Sequence, residues 1–412
     1  MLNQNFTTFL ITLPEACKKF SEDTLTFSLP IQDHECPQCH QVTTRVHDYR
    51  NQKIKTATVN ECECKIVYRR RRYRCPICGK VFAEHNTFIG KGQQIPYADV
   101  MKIIDAHKEV VPTTMIARRF GISATTVHRI FKLVSPSIAK LDEAISLDEF
   151  HGNAGAKFQV VLNSLTQRKC LNVFSDRTRE VLYHEISLAY PLEERLKVKH
   201  VSIDLSPFFK RLVKDLFTNA KISADKFHAV RLANKALDDE RKAVQNKLSS
   251  EQRKYFKRSR YLMLKREKDL NTADYEALQV MLNFSDRLSA AYAMKEQYFK
   301  IFDSKDNVEF SKRLLMFRIA VERQNIPTFN KLLKTTIQWK AELIHGISTG
   351  YNNGFTEGCN TTIKTLKRVS YGYKSFKLFK RRIMFILNFI NDPQSRYFGG
   401  FFLICRQTLS PF

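Results

Sequence analysis

Two C-x-x-C pairs, Cys36-Pro37-Gln38-Cys39 and Cys75-Pro76-Ile77-Cys78, constrain the N-terminal part of the chain more than any other feature. A C-x-x-C turn aims two thiolates at one point, and a second such turn completes a tetrahedral set for Zn²⁺. The stretch between the pairs exceeds the usual ~15–20 residues. It reads as extended, because CKIVYRRRRYRC (64–75) alternates and runs straight into the second turn, as a hairpin strand would. Cys62 and Cys64 share one face of that hairpin and are read as packing residues. Four unrelated buried thiols are one competing reading. A redox dithiol is the other, but it calls for a βαβ context that the surrounding sequence lacks. A zinc ribbon over 31–92 is expected, with Cys36, Cys39, Cys75 and Cys78 as ligands.

Charge narrows the partner. The chain has 68 Lys and Arg against 41 Asp and Glu among 412 residues, a formal net charge of +27. An excess of that size points to a polyanion. Membrane surface is the rival to nucleic acid, but no run of about eighteen apolar residues could span a bilayer. The first residues, MLNQNFTTFLITLPEAC, lack the basic start and apolar core of a secretory signal. A cytoplasmic, nucleoid-associated protein without a membrane partner is expected, its cysteines serving as thiols or metal ligands. With only 13 Gly and 12 Pro, the sequence predicts few long loops and much helix.

Arg69, Arg70, Arg71, Arg72 and Arg74 interleave with Tyr68 and Tyr73 on the second strand of the ribbon. Guanidinium groups carry five donors and a permanent charge, which suits phosphate contact, although charged residues also protect a solvated edge strand. With the zinc knuckle holding the strand rigid, Arg69–Arg72 are expected on phosphates. Further on, MIARRFGISATTVHRIFKLV (115–134) places Ala117, Gly121 and Val127 at the offsets of a helix-turn-helix. The small Ala lets two helices approach, Gly takes a left-handed turn, and Val packs the second helix inward. Ser123 is a natural N-cap. Thr125, Thr126, His128 and Arg129 would then face a major groove. A plain helical hairpin is the alternative; the spacing favours a DNA-binding domain over 93–140, preceded by the ribbon and an N-terminal segment (1–30).

Beyond residue 140 the pattern changes. AISLDEF (144–150), KFQVVLNSL (157–165) and KCLNVFS (169–175) read as a three-strand meander. A helix around 178–195, a strand KHVSIDLS (199–206), a helix at 207–218 and a fifth strand in AKISADKFHAV (220–230) follow. That order predicts an RNase H-like core. From about 230 to 345 the pattern is helical with no β signal, and reads as an insertion. The expected fold is therefore multidomain α/β plus α: catalytic core 141–237, helical insertion 238–345, final core helices 346–395 and an apolar tail 396–412.

Asp148 and Asp204 each lie at the end of a predicted strand, and Glu357 heads a helix-prone segment in NNGFTEGCNTTIKTLKR (352–368). Three carboxylates from three elements can hold two hard divalent cations, Mg²⁺ or Mn²⁺, for an in-line phosphoryl displacement. Lys364, Lys367 and Arg368, with Lys374 and Lys377, would then hold the DNA backbone. Singly, such acids cap or solvate; Glu357 also suits the positive end of a helix. Glu149 and Asp225 compete for the roles. His228 is either structural or catalytic. Trp339, the single tryptophan, either packs in the core or stacks on a displaced base.

These motifs carry a resemblance. LDEF (147–150), IDLSPFF (203–209), ADKFHAVRLANKALDDERK (224–242) and NNGFTEGCNTTIKTLKRVSYGY (352–373) make the chain, as far as about residue 391, similar to DDE transposases of the ISL-three insertion-sequence family. The resemblance implies that Asp148, Asp204 and Glu357 are the DDE triad and that the helical block lies between the second and third acids. It also implies binding of terminal inverted repeats in double-stranded DNA, as a homodimer, with metal-dependent strand cleavage and transfer. The sequence departs from the family at HGNAGAK (151–157), where a basic, Gly-containing stretch is usual, and at Asn163, where an acid often ends the second strand. A non-catalytic DNA-binding regulator or an inactive transposase relic is the alternative, with no need for the three acids.

Overall fold

The computed structural model describes residues 6–55, 65–90, 92–135, 138–152, 155–257, 259–351 and 353–390. Cys62, Cys64, Asn352 and the tail 396–412 lie outside them. The described residues form two compact units. One is drawn from residues 6–135 and 362–390 with Gly155, the other from 138–152 and 156–361. No helix among them is long and apolar enough to cross a membrane.

In the first unit, strand Lys65–Arg74 is the hub of a five-stranded sheet. It pairs in parallel with Thr24–Phe27, and antiparallel with Val46–Ile54 and Val81–Ala83. Its even-numbered residues Ile66 and Tyr68 point to one face, where Tyr68 stacks on Phe27 with ring centroids 5.1 Å apart. Helix Phe6–Thr12 covers that face through Phe6 and Leu10.

Downstream, helices Tyr97–Asp105, Thr113–Arg119 and Ala124–Phe131 enclose a second small core of Ile103, Ile104, Ile116, Val127 and Phe131. Ala117 is buried, Gly121 takes the left-handed conformation at φ 60°, and the Ser123 hydroxyl accepts from the Thr126 amide at 3.2 Å. A fourth helix closes this core, and here the expected boundaries need correcting. Helix Phe376–Ile390, assigned above to the catalytic core, packs on the N-terminal helices instead. Its Phe385 meets Phe131 edge-on at 5.5 Å, and Arg382 donates to the carbonyls of Glu109 (2.8 Å) and Val111 (3.1 Å). A short three-helix cluster leaves apolar surface that this helix covers, which residue-by-residue periodicity does not reveal.

The second unit is built on a five-stranded sheet with spatial order Lys169–Phe174, Phe158–Ser164, Ala144–His151, His200–Ile203, Lys221–Ala224. The first three are antiparallel neighbours; the last two run parallel to Ala144–His151. These strands are buried almost throughout, as expected when helices cover a sheet containing parallel strands. Three elements differ from expectation. The fifth strand ends at Ala224 because Asp225 caps helix Lys226–Gln245, accepting from the Phe227 amide at 3.1 Å. The helix expected at 178–195 is broken at Pro191 into Arg179–Ala189 and Leu192–Arg195. The boundary expected at 238 falls inside helix Lys226–Gln245, and one continuous core runs from Ile145 in the sheet to Phe317 and Leu343 in the helical block. Trp339 is 1% exposed within that core, with the Lys210 ammonium 4.7 Å from its ring centroid, so it packs rather than offering a stacking face.

His107, buried in the four-helix cluster, stacks on Phe131 at 4.0 Å and donates from Nδ1 to the Ile103 carbonyl at 2.7 Å. Burial, then the nearby Arg382 charge, pushes its pKa down to about 3. A group depressed on folding contributes stability above its unfolded value, lost as pH falls through the folded one. The cluster should therefore lose up to about 1.4 kcal/mol per pH unit between roughly 6.5 and 3. Amide exchange of 97–131 across that range is the measurement; protection unchanged down to pH 4 would refute it.

Candidate active site and metal centre

The two cysteine turns are built alike. Cys36 N–H donates to Gln41 and His40 N–H to Cys36; correspondingly, Cys75 N–H donates to Lys80 and Gly79 N–H to Cys75. The fourth residue after each leading Cys is left-handed: His40 at φ 60° and Gly79 at φ 73°. Glycine serves this conformation in the second turn, while His40 holds it at some steric cost. The result is four Sγ atoms within 4.8 Å of one another, with Cys36–Cys78 at 3.6, Cys39–Cys78 at 3.5 and Cys39–Cys75 at 3.4 Å. A tetrahedron of ~2.3 Å Zn–S bonds has edges of about 3.8 Å, so the donor set fits Zn²⁺. The Cys78 amide, ahead of opposing burial, holds the Cys75 thiol down to about 6, while, against the Gln41 amide, the neighbouring thiols and burial push Cys39 up to about 12; sulfurs this close cannot all ionise without a cation among them.

The arginine strip is a correction. Of the four arginines assigned to phosphate, Arg71 points inward: it is 7% exposed and pairs with the fully buried Glu84 at 3.4 Å. It also donates to the Leu29 carbonyl at 2.6 Å. Arg70 donates to the Glu84 carbonyl at 3.0 Å, and Arg72 forms a two-point pair with Asp48. Arg69, stacked 4.0 Å over Tyr49, is exposed, as is Arg74. Alternation turns every second arginine of a strand towards the opposite face, and both faces are partly covered here. On helix Ala124–Phe131, Thr125 and Arg129 are exposed while Thr126 and His128 are half-buried. Thr126 and Arg129 line a recess of about 680 Å³ with Gln93, Gln94 and Lys55.

In the second unit, strand register brings two acids together. His200, Val201 and Ser202 stand level with Ala144, Ile145 and Ser146. The same register continued sets Asp204, just beyond its strand, level with Asp148 inside the neighbouring one. The strand beyond sets Asp225 level with Asp204. Asp148 is 9% exposed, and burial, then the Asp204 charge, pushes its pKa up to about 7. Burial raises Asp204 too, and its Oδ1 is buried without a hydrogen-bond partner. Two adjacent carboxylates, one buried and one half-buried with an unsatisfied oxygen, are a donor set suited to a divalent cation.

Helix Gly354–Val369 is fastened to this place. The hydroxyls of Thr356 and Ser146 are 2.6 Å apart, Asn163 donates to Thr356 at 3.2 Å, and Asn360 donates to Asp148 Oδ2 at 2.9 Å. Four helix residues rise about 6 Å and two strand residues about 6.7 Å, so the pairs 356/360 and 146/148 match. Glu357, one residue round from Thr356, is exposed and lines a recess with Asp225. Among the described residues the four cysteines are the group drawn within 4.8 Å; the three acids are not. The competitors are engaged elsewhere: Glu149 with Arg177, and Asp225 as a cap. His228 stands 3.4 Å from Asp225 without an aligned hydrogen bond; Asp225, ahead of opposing burial, then Asp204 and Asp148 raise its pKa. Asn163 was noted only as a departure from the family pattern, and Ser146, Thr356 and Asn360 were missed by sequence reasoning; the i,i+4 polar pair on an otherwise amphipathic helix was the available signal.

Two measurements follow from these sites. Purified protein should carry about one equivalent of zinc, and chelation should unfold 34–83; a folded sample holding under about a tenth of an equivalent would refute the assignment. Arg71→Gln should cost on the order of 3 kcal/mol of stability by leaving Glu84 short of its buried partner. Arg69→Gln should leave stability unchanged and weaken DNA binding. Equal stability of the two variants in urea would refute this division.

A sequence model described as "Transposase", of the DDE type named for ISL3, matches residues 145–383. A second, described as the zinc-finger of the transposases of IS204, IS1001, IS1096 and IS1165, matches residues 32–78. The chain is 23% identical over 364 residues to the transposase for insertion sequence element IS1001 of Bordetella parapertussis, covering 84% of this chain and 87% of that one. It is 26% identical over 207 residues to the transposase for IS1557 of Mycobacterium tuberculosis, 44% and 46% of the two chains. A shorter match, 30% over 104 residues, is to a Lactococcus lactis protein named ATP-dependent protease, covering 25% of this chain and 32% of that one. With a ribbon of four gathered cysteines in front and the transposase match spanning more than half its length, the chain belongs to the ISL3 family of insertion-sequence transposases.

Proposed function

We propose that the protein binds the terminal inverted repeats of its element and catalyses metal-dependent cleavage and transfer of DNA strands with Asp148, Asp204 and Glu357. The observation carrying this is the level placement of Asp148 on its strand and Asp204 just past the end of the parallel neighbour, with the Glu357 helix hydrogen-bonded to Asp148 itself. The sheet order, with the first three strands antiparallel and the next two parallel to the first, supports an RNase H-like core.

Asp148 and Asp204 would hold Mg²⁺ or Mn²⁺ between them, and Glu357 would swing from its exposed rotamer to complete the set. Bound cations would stabilise the attacking and leaving oxygens of phosphoryl transfer. Asn360 keeps one oxygen of Asp148 fixed, and the Asn163–Thr356–Ser146 network holds the helix that carries Glu357. Lys364, Lys367 and Arg368 follow Glu357 on the same helix and would meet the backbone of the cut strand.

Recognition belongs to the N-terminal unit. Its three helices around Gly121 support a helix-turn-helix reading, with Thr125, Thr126, His128 and Arg129 toward bases and the ribbon's Arg69 on phosphate. Such a protein would act as a homodimer on double-stranded DNA in the cytoplasm, at the nucleoid.

Replacing Asp148, Asp204 or Glu357 with Ala should lower Mg²⁺-dependent nicking of an end-bearing duplex by on the order of 10³-fold or more. Gel-shift binding of the ends should persist, and double replacements should cost little more than single ones. Asp225→Asn should cost less than Asp204→Asn. Full nicking by Glu357→Gln would remove that residue from the chemistry.

A further inference from the structure

Helix Lys226–Gln245 starts at Asp225, level with the acids, and separates two recesses in the second unit. One, of about 490 Å³, has Glu357 and Asp225 at its mouth and the rings of Phe227, Phe299 and Phe302 on its walls. Phe227 is 47% exposed there, so its ring stands open to a partner at the recess. The other recess, of about 650 Å³, opens from Asp204 and His228 along Arg231 and Lys235. Both cations are exposed, and neither forms an ion pair among the described residues. Asn234 lines both recesses, and its Oδ1 is buried without a hydrogen-bond partner.

Three chemistries thus meet within one acid-flanked stretch of helix: an exposed aromatic ring, an unmatched amide acceptor and two cations without an ion pair among the described residues. A nucleotide presents their complements as a flat π-surface, an edge of N–H donors and a phosphate. Volume fits as well, since pockets for small ligands span ~300–1,000 Å³, far too little for a duplex. Resting on the reading of Asp204 and Glu357 as the cleavage site, we propose that this helix holds one unpaired nucleotide of the DNA strand at that site. Its base stacks on Phe227 in the recess beside Glu357 and meets Asn234 at its edge. The adjoining phosphates run along Arg231 and Lys235. Trp339 plays no part, being enclosed in the core.

The test uses the full-length protein and a twelve-nucleotide single strand bearing 5-iododeoxyuridine, which crosslinks under near-ultraviolet light to an aromatic ring stacked on it. Peptide mapping should place the crosslink on Phe227, within Phe227–Arg231, and a fully paired duplex of the same sequence should give little there. Phe227→Ala should lower that yield by about five- to tenfold, and Phe227→Tyr should retain it. Arg231→Gln with Lys235→Gln should lower it too and flatten the salt dependence by about 1.4 in log–log slope. Crosslinks confined to other peptides, or equal from single strand and duplex, overturn the proposal. Mg²⁺-dependent nicking is scored on the same preparation. Nicking without a crosslink at Phe227 overturns this site alone; a crosslink without nicking supports the site while the cleavage reading fails.

Discussion

The candidate active site depends on a helix whose own anchoring side chains, Thr356 and Asn360, carry no charge. Thr356 meets Ser146 and Asn163 in a buried polar contact, and one turn later Asn360 reaches Asp148. In a dry environment such bonds are costly to leave unmade, so they fix both the rotation and the height of helix Gly354–Val369 on the sheet. Rotation decides what Glu357 can do. With Thr356 turned to the sheet, the next residue points sideways to the rim where Asp225 lies, not down into the core. An apolar contact of equal area would permit the helix to slide by part of a turn. The polar one does not.

The same sheet is held on its other flank by a close approach that leaves a side chain very little room. A Cβ on Gly346 would stand 3.0 Å from the Ala224 carbonyl, where helix Lys340–Thr349 crosses the last strand. That strand leads directly into Asp225 and the helix bearing His228, Arg231 and Lys235. A shift of the strand would therefore move the whole acid row, because its members share one register. Backbone pairing sets the order of the acids, and the two crossing helices set their depth.

Much of this was legible in the residues. The C-x-x-C spacing identified the metal centre because the chemistry needs little beyond two short turns, and each turn is local. The meander of strands was legible because fully buried strands read as short apolar runs, and Asp148 and Asp204 stood out as charges within or just after them. What failed was long-range. Arg71 looked like its neighbours, yet it packs against Glu84, thirteen positions away on a different segment. Helix Phe376–Ile390 looked like a continuation of the core, yet its apolar face is covered by helices some 250 positions earlier. The Ser146–Thr356 contact was passed over because an uncharged polar pair on one helix does not say what it meets, and the partners lie 210 positions apart.

Charge distribution gives the last step. The net charge of +27 suggested basic surfaces throughout, but many individual cations are already committed: Arg71 and Arg72 in the ribbon, Arg241 and Lys242 on Asp238, Arg266 on Asp303. Ion pairs of this kind shape the fold and offer little to a polyanion, since a paired guanidinium releases few counterions on binding. The cations free for DNA are therefore fewer than composition implies, and their positions carry more information than their number. Arg69 projects beside Tyr49, Arg129 from the exposed face of its short helix, and Arg231 and Lys235 from beside Asp204. A groove-reading surface calls for the first two, which lie in the unit with the zinc ribbon. On the function proposed above, a strand led past these carboxylates would call for the last two, because the negative charge of Asp148, Asp204 and Glu357 would otherwise repel its phosphates.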